Sequence, residues 1–433
     1  MRFARGAAGF IVALSIVAVP AGQVWRDAAL ETFDVVWQTV ETTHYDPGFG
    51  GVDWNAVRQE LRPRAAAAPN AAAARDVIRE MLARLKQSHF TLISSGADDD
   101  SVPLGAATVL MEVRATEAGV IVTRVAPESG AARAGIRPGD RLIAIDDAPA
   151  ASVVAPTAAT SDASVALWLE AIRRLSGGVG TRARLRLARP DRSEYSAEVT
   201  REVEPGETVV LGNLPPMRAS LEAEEVRTSS GKRVGIIAFN VWMAPLAAPF
   251  AAAIDRFRAA DGIVIDLSGN VGGLVEMIRG IAGHVVDQPV LIGRMQMRAN
   301  ALEFRANPRR STSDGRRVEP FSGPLAIVVD GLTASASECF AAGLQGLGRA
   351  RVFGTATMGQ ALPALTKSLP NGDVLEYAVG DFVTAGGRRV EGAGVIPDER
   401  VPLDPAELAA GRDARARAVA WIDTLPVGPS NSR

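Results

Sequence analysis

The chain is poor in the residues that most often do chemistry. Of its 433 residues, one is cysteine and three are histidine, and lysine occurs only at Lys86, Lys232 and Lys367. With Cys339 alone, no internal disulfide can form, so stability has to come from apolar cores. The place of Cys339 at the start of a helix suggests burial, not a reactive thiol. A mechanism built on a histidine has only His44, His89 and His284 to draw on, and one built on a lysine has equally few candidates. An excess of charge of one sign is missing too. With 47 Lys+Arg against 49 Asp+Glu, there is no electrostatic case for a nucleic-acid partner. No His/Cys/Asp/Glu group has metal-ligand spacing, no G-x-x-x-x-G-K-[ST] occurs, and no G-x-G-x-x-G follows the first strand. Neither a metal nor a nucleotide cofactor is expected. The apolar run Gly9 to Val19 is too short for a comfortable membrane span. Arg2 and Arg5 precede it and Val19-Pro20-Ala21 closes it, the three-part layout of a secretory signal peptide over residues 1–21. The body is then expected in the periplasm or secreted, with membrane contact only if that segment stays uncleaved.

What is present is globular: 47% apolar and 22% charged residues, enough chain for two or three domains. Residues 22–97 read as a helical domain. Phe33, Val36, Trp37 and Val40 share one face, and Val77, Ile78, Met81, Leu82 and Leu85 form a second stripe at helical spacing. That stripe runs out at Lys86, which puts Ser88 and His89 at a helix–strand junction. Ser94 to Ser101 reads as a polar linker. Over 103–203 the segment Ala134-Gly135-Ile136-Arg137-Pro138-Gly139-Asp140-Arg141-Leu142-Ile143 resembles the core of a PDZ domain. Such domains take an extended peptide as an added strand and receive its terminal carboxylate in a loop of N–H groups; Leu104-Gly105-Ala106 is the counterpart of that loop. From 206 to 425 apolar strands at Val234–Phe239, Ile263–Leu267, Val290–Ile292, Leu325–Val329 and Arg351–Phe353 alternate with helical stretches over Pro245–Ala260, Leu274–Val286 and Glu338–Leu347. Residues 426–433 form a Pro/Gly/Ser tail expected to be flexible.

Two segments in this last region carry chemistry. In Leu325-Ala-Ile-Val-Val-Asp-Gly-Leu-Thr-Ala-Ser335-Ala-Ser-Glu338, a buried strand hands over to a helix with Ser335 at its N-terminus, where free N–H groups and the helix dipole favour an oxyanion. The same Ser-x-x-Glu spacing is that of a capping box, which needs no chemistry. Asp266-Leu-Ser-Gly-Asn-Val-Gly-Gly273 also follows a strand, and its glycines let backbone N–H groups approach a ligand closely. Beside Ser335 it reads as the other half of an oxyanion hole, from Gly272 or Gly273 with Ala336. A serine nucleophile needs a base. His44 lies in a turn and is expected exposed; His284, in an apolar helix, is expected to be packed or on the surface; His89 is the best placed. Glu391 sits in a glycine-rich turn, where an acid is usually solvated.

Gln87-Ser88-His89, the Asp266–Gly273 loop, Thr333–Glu338 and Glu391–Asp398 together resemble, in chain order, the carboxyl-terminal processing and tricorn-core serine peptidase family. The resemblance implies an α+β multidomain protein: an N-terminal helical domain, a PDZ domain and an α/β crotonase-like peptidase core. In the processing branch a lysine about 25 residues after the serine is the base, but Gln360 stands at that position and cannot accept a proton. Lys367 is expected on the surface. Ser335, His89, Ser88 and Glu391 instead match the tricorn-like set of nucleophile, base and orienting groups. Ser268 and Val271 replace the Arg and Pro usual in the glycine loop. The implied activity is hydrolysis of extended polypeptides through an acyl-enzyme, with substrates recognised by their C-terminus. Two other readings follow from the same residues. One is an inactive family member that binds peptides through its PDZ domain. The other is a crotonase-type enzyme acting on acyl-CoA, which the signal peptide opposes.

Overall fold

The computed structural model describes residues 21–94, 107–150, 161–214 and 216–426. Residues 1–20 of the expected signal peptide, Leu104, Gly105 and Ala106, and residues 427–433 of the expected tail lie outside the described residues. The architecture is α+β with several domains.

The C-terminal core is built on a six-stranded sheet ordered 221–227, 233–239, 262–266, 325–329, 351–354 and 399–400. Only the first pair is antiparallel. Gly262–Asp266 and Leu325–Val329 are buried at every position, as parallel strands covered on both faces must be. Alternation then divides their side chains between two cores. Ile263, Ile265, Leu325, Ile327 and Val329 face helices Ala247–Phe257, Met277–Ala282 and Ala336–Gly346, whose Phe250, Ile254, Phe257 and Phe340 fill that side. Val264, Ala326 and Val328 face the C-terminal helix Ala414–Thr424 through Ala418 and Ile422. The helix expected over Leu274–Val286 is only Met277–Ala282, because Gly283 ends it. The edge strand Leu221–Arg227 gave no sequence signal, since its half-exposed pattern carries Glu222, Glu224 and Glu225.

The N-terminal helices Ala21–Thr43, Trp54–Ala66 and Ala71–Ala83 share a core with the far end of the chain. Leu362, Leu369, Leu375 and Ala378 pack among Phe33, Trp54, Leu61 and Met81. The strand Thr91–Ile93 pairs antiparallel with Val374–Ala378, and a buried Asp373 meets Arg75 at 2.8 Å. His89 is therefore stitched to the core from both sides. The PDZ region forms its own sheet of 111–116, 119–125, 141–145, 182–188 and 194–200, packed with helix Ser161–Leu175. Among the described residues no helix is long and apolar enough to cross a membrane.

Candidate active site

Ser335 sits at the end of the sheet where parallel strands deliver their loops. The strand Leu325–Val329 ends, Asp330–Ala334 turns, and Ser335 is the N-cap of helix Ala336–Gly346, half-buried with φ 55° and ψ −121°. That backbone is strained for a residue with a side chain, and the surrounding bonds hold it there. The Ser335 N–H donates to the Gln360 carbonyl at 2.8 Å and to the Glu338 carboxylate at 3.1 Å. Glu338 is fully buried and also accepts from the Gly359 N–H, the Gln360 N–H and the Thr357 hydroxyl. Burial pushes its carboxyl up to about 7, although these donors pull the other way. The capping box and the strained serine therefore coexist.

The glycine loop lies directly against the serine. A Cβ on Gly272 would stand 2.6 Å from the Ser335 Cβ, so no larger residue fits. The Gly272 N–H is spent on the Asn270 side-chain oxygen at 3.0 Å, and Asn270 also accepts from the Ala334 N–H. Among the described residues, the Gly273 and Ala336 N–H groups donate to nothing within the chain. Cys339 is buried one turn into the helix, and burial raises its thiol far above the ordinary range.

The second half of the site comes from residues 303 positions apart. The Ser88 hydroxyl donates to Glu391 Oε2 at 2.9 Å, the Ser88 N–H donates to Oε1 at 3.0 Å, and the Ala361 N–H donates to Oε2 at 2.8 Å. Ser88 Oγ lies 2.8 Å from His89 Nδ1. A serine has one hydroxyl proton, and the carboxylate takes it. The Nδ1 atom must then be the protonated one, leaving Nε2 with a free lone pair. Burial lowers the imidazole below the ordinary histidine value, against the pull of Glu376. His89 has φ 57°, so both the serine and the histidine sit in strained backbone. Gln360 and Ala361 link the two halves: the first accepts from Ser335, the next donates to Glu391. Among the described residues no hydrogen bond joins His89 to Ser335. Such bonds are often loose before substrate binds.

His44 is not exposed, as its turn suggested, but fully buried. It stacks on Phe90 with ring centroids 5.3 Å apart, and its Nε2 meets the Gln87 side chain at 3.1 Å, so it braces the turn that carries Ser88 and His89. Glu391 is likewise 8% exposed, not solvated. His284 is buried against Phe250, away from the site, and Lys367 is exposed. Sequence reasoning gave Glu338 only a capping role; three of the four hydrogen bonds its carboxylate accepts come from Thr357–Gln360, which local spacing cannot reveal. A groove of about 680 Å³ lined by Arg349, Arg351 and Trp421 lies at the opposite ends of the strands, and its one hydroxyl, Ser322, has no histidine or lysine beside it in that lining.

Residues 233–401 match the sequence model described as peptidase family S41. That stretch is a peptidase domain of this family. This serine peptidase core is preceded by residues 26–83, which match the tricorn protease C1 domain, and by residues 121–154, which match a PDZ domain. The carboxyl-terminal-processing protease of a Picosynechococcus strain is 26% identical over 398 residues, covering 90% of this chain and 87% of the relative. That of Bacillus subtilis is 22% identical over 314 residues, covering 72% and 59%. Among solved structures, the photosystem II D1 C-terminal processing protease aligns with a TM-score of 0.56 at 19% identity over 90% of this chain and 99% of its own. The tricorn protease aligns at 0.52 and 18% over 92% of this chain and 37% of its own. At these identities the structures establish the fold. The S41 protein is a serine peptidase whose substrate is a polypeptide.

Proposed function

We propose that this S41 peptidase is an exported endopeptidase that cuts extended polypeptides with Ser335 as nucleophile and His89 as general base. The observation that carries this reading is the relay from Glu391 through Ser88 to His89 Nδ1, which leaves Nε2 free to accept a proton. His89 takes the Ser335 proton as Oγ attacks the scissile carbonyl. The Gly273 and Ala336 N–H groups receive the oxyanion, since the Gly272 N–H is already committed to Asn270. The imidazolium returns its proton to the leaving amine, and water repeats the sequence to release the acyl group. Gln360 contributes its backbone to Ser335 and Glu338, and His89 takes the part of the missing lysine.

The PDZ domain supports recognition of substrate by its C-terminus, with Leu104-Gly105-Ala106 as the carboxylate loop. The Arg2/Arg5 start and the apolar run to Val19 support export to the periplasm or beyond; the mass of the N-terminal peptide recovered from the mature protein tests it. A fluorophosphonate labels Ser335 in the wild type, and the label is lost in His89→Ala. Labelling that survives in His89→Ala removes the base assignment. No labelling and no cleavage of a peptide library favours instead an inactive PDZ peptide binder, the reading that Gln360 supports.

A further inference from the structure

One buried contact between the domains bears directly on both halves of the oxyanion site. Arg114 lies on the PDZ strand Met111–Thr116 and is 6% exposed. Its Nε donates to Asp330 Oδ2 at 2.6 Å. Asp330 ends the nucleophile strand and is 5% exposed. Its other oxygen, Oδ1, accepts from the Gly269 N–H of the glycine loop at 2.9 Å and from the Leu332 N–H of the nucleophile turn at 3.0 Å. The Thr333 hydroxyl is shared between this carboxylate and the Leu267 carbonyl. One carboxylate thus ties the loop that carries Gly272 and Gly273 to the turn that carries Ser335, and the PDZ guanidinium fixes its orientation.

The remaining donors of Arg114 are directed as well. Nη1 donates to the Val113 carbonyl and Nη2 to Glu112, so the side chain is held in place from its own strand. Nη2 stands 2.6 Å from where a Cβ on Gly269 would lie, so the guanidinium packs on the loop backbone itself. A second PDZ arginine, Arg124, reaches Asp266 at 2.9 Å. Asp266 ends the neighbouring strand, accepts from the Ser268 N–H and is also paired with Arg415. The glycine loop has no cation of its own, because Ser268 stands where the family usually has arginine.

We propose that Arg114 is a positioning residue for the peptidase site: its ion pair with Asp330 holds the oxyanion loop and the nucleophile turn in register. A buried guanidinium is planar and forked, and a carboxylate it grips cannot rotate away from the N–H groups it serves. Without it Asp330 is free to reorient, and the Gly273 and Ala336 donors lose their common aim.

The test compares Arg114→Met and Arg114→Lys with wild type for peptide turnover and for the rate of Ser335 labelling by a fluorophosphonate. Arg114→Met is expected to lower kcat and the labelling rate at least tenfold with KM within about twofold, and Arg114→Lys, which keeps the charge, to recover part of both. A structural role alone would lower folded yield and melting temperature without this split. If Arg114→Met does not fold, Arg114→Met/Asp330→Asn leaves no unpaired buried charge and is expected to fold with the same loss in kcat. A folded variant that turns over and labels at the wild-type rate, or faster, overturns the proposal. The inference rests on Ser335 as nucleophile. A wild type inert to the phosphonate defeats that assignment and this one with it, whereas an active wild type matched by Arg114→Met defeats only this one.

Discussion

The serine half and the histidine half of this site are built by opposite means. Ser335, its capping Glu338 and the Gly272–Gly273 loop all follow the carboxyl ends of adjacent parallel strands, so the sheet register brings them together and the Arg114–Asp330 pair only sets their final aim. Ser88, His89 and Glu391 share no element. They meet because Thr91–Ile93 pairs with Val374–Ala378, and because the N-terminal helices bury Leu362, Leu369 and Leu375 in their own core. A catalytic group on a strand end inherits its precision from backbone hydrogen bonds. One held across domains depends on side-chain packing and on buried polar contacts such as Arg75–Asp373, which are more easily lost.

Substitutions can separate the two halves. The largest effects are expected from Ser335→Ala and His89→Ala, each lowering kcat by on the order of 10⁴-fold or more, with the double variant little worse than either, because the two act as one unit. Additive losses in steady-state assays would mean that they do not. Gly272→Ala comes next: its Cβ would stand 2.6 Å from that of Ser335 in a backbone with φ 97°, and a loss of roughly 10²-fold in kcat follows from a displaced oxyanion site. Ser88→Ala breaks only the link between Glu391 and the imidazole; a kcat loss of roughly 10- to 10²-fold is expected, with melting temperature nearly unchanged.

The pH profile gives a smaller and sharper distinction. As the proposed base, His89 must be neutral, and burial lowers its proton affinity. The acid limb of kcat/KM should therefore fall below the ordinary histidine value of about 6.5, with activity lost as pH drops through the depressed value. An acid limb at or above 6.5 would contradict the buried, relay-held imidazole. The smallest change is expected for Gln360→Ala, since Gln360 serves Ser335 through its carbonyl and Glu338 through its N–H, which any residue supplies. Activity within about threefold of wild type is the expected result; a loss like that of Ser335→Ala would make the amide side chain part of the mechanism.

The serine half was legible because its signals are local: an all-apolar strand, a turn, and a helix start within fifteen residues, then three glycines after another strand. The histidine half was not legible from its own residues. His89 looked no better than a structural histidine, and Glu391 looked solvated. Only the resemblance of four ordered segments singled them out, because nothing in the local spacing reports a contact across 303 positions. His44 shows the same limit from the other side. Its turn sequence suggested exposure, yet Phe90 and Gln87, more than forty residues on, enclose it.

By itself the amino-acid sequence determined the alternating strands and helices of the core and the strand-to-helix presentation of Ser335, through periodicity and turn chemistry that act over a few positions. The PDZ unit, and Gln360 where a processing peptidase has lysine, were read through the resemblance of whole segments. Tertiary structure decided which N–H groups near Ser335 remain unbonded, the protonation of His89 through Ser88 and Glu391, and the grip of Arg114 on Asp330. Each depends on where distant buried groups find their hydrogen-bond partners, and burial makes those pairings obligatory only once the chain has folded.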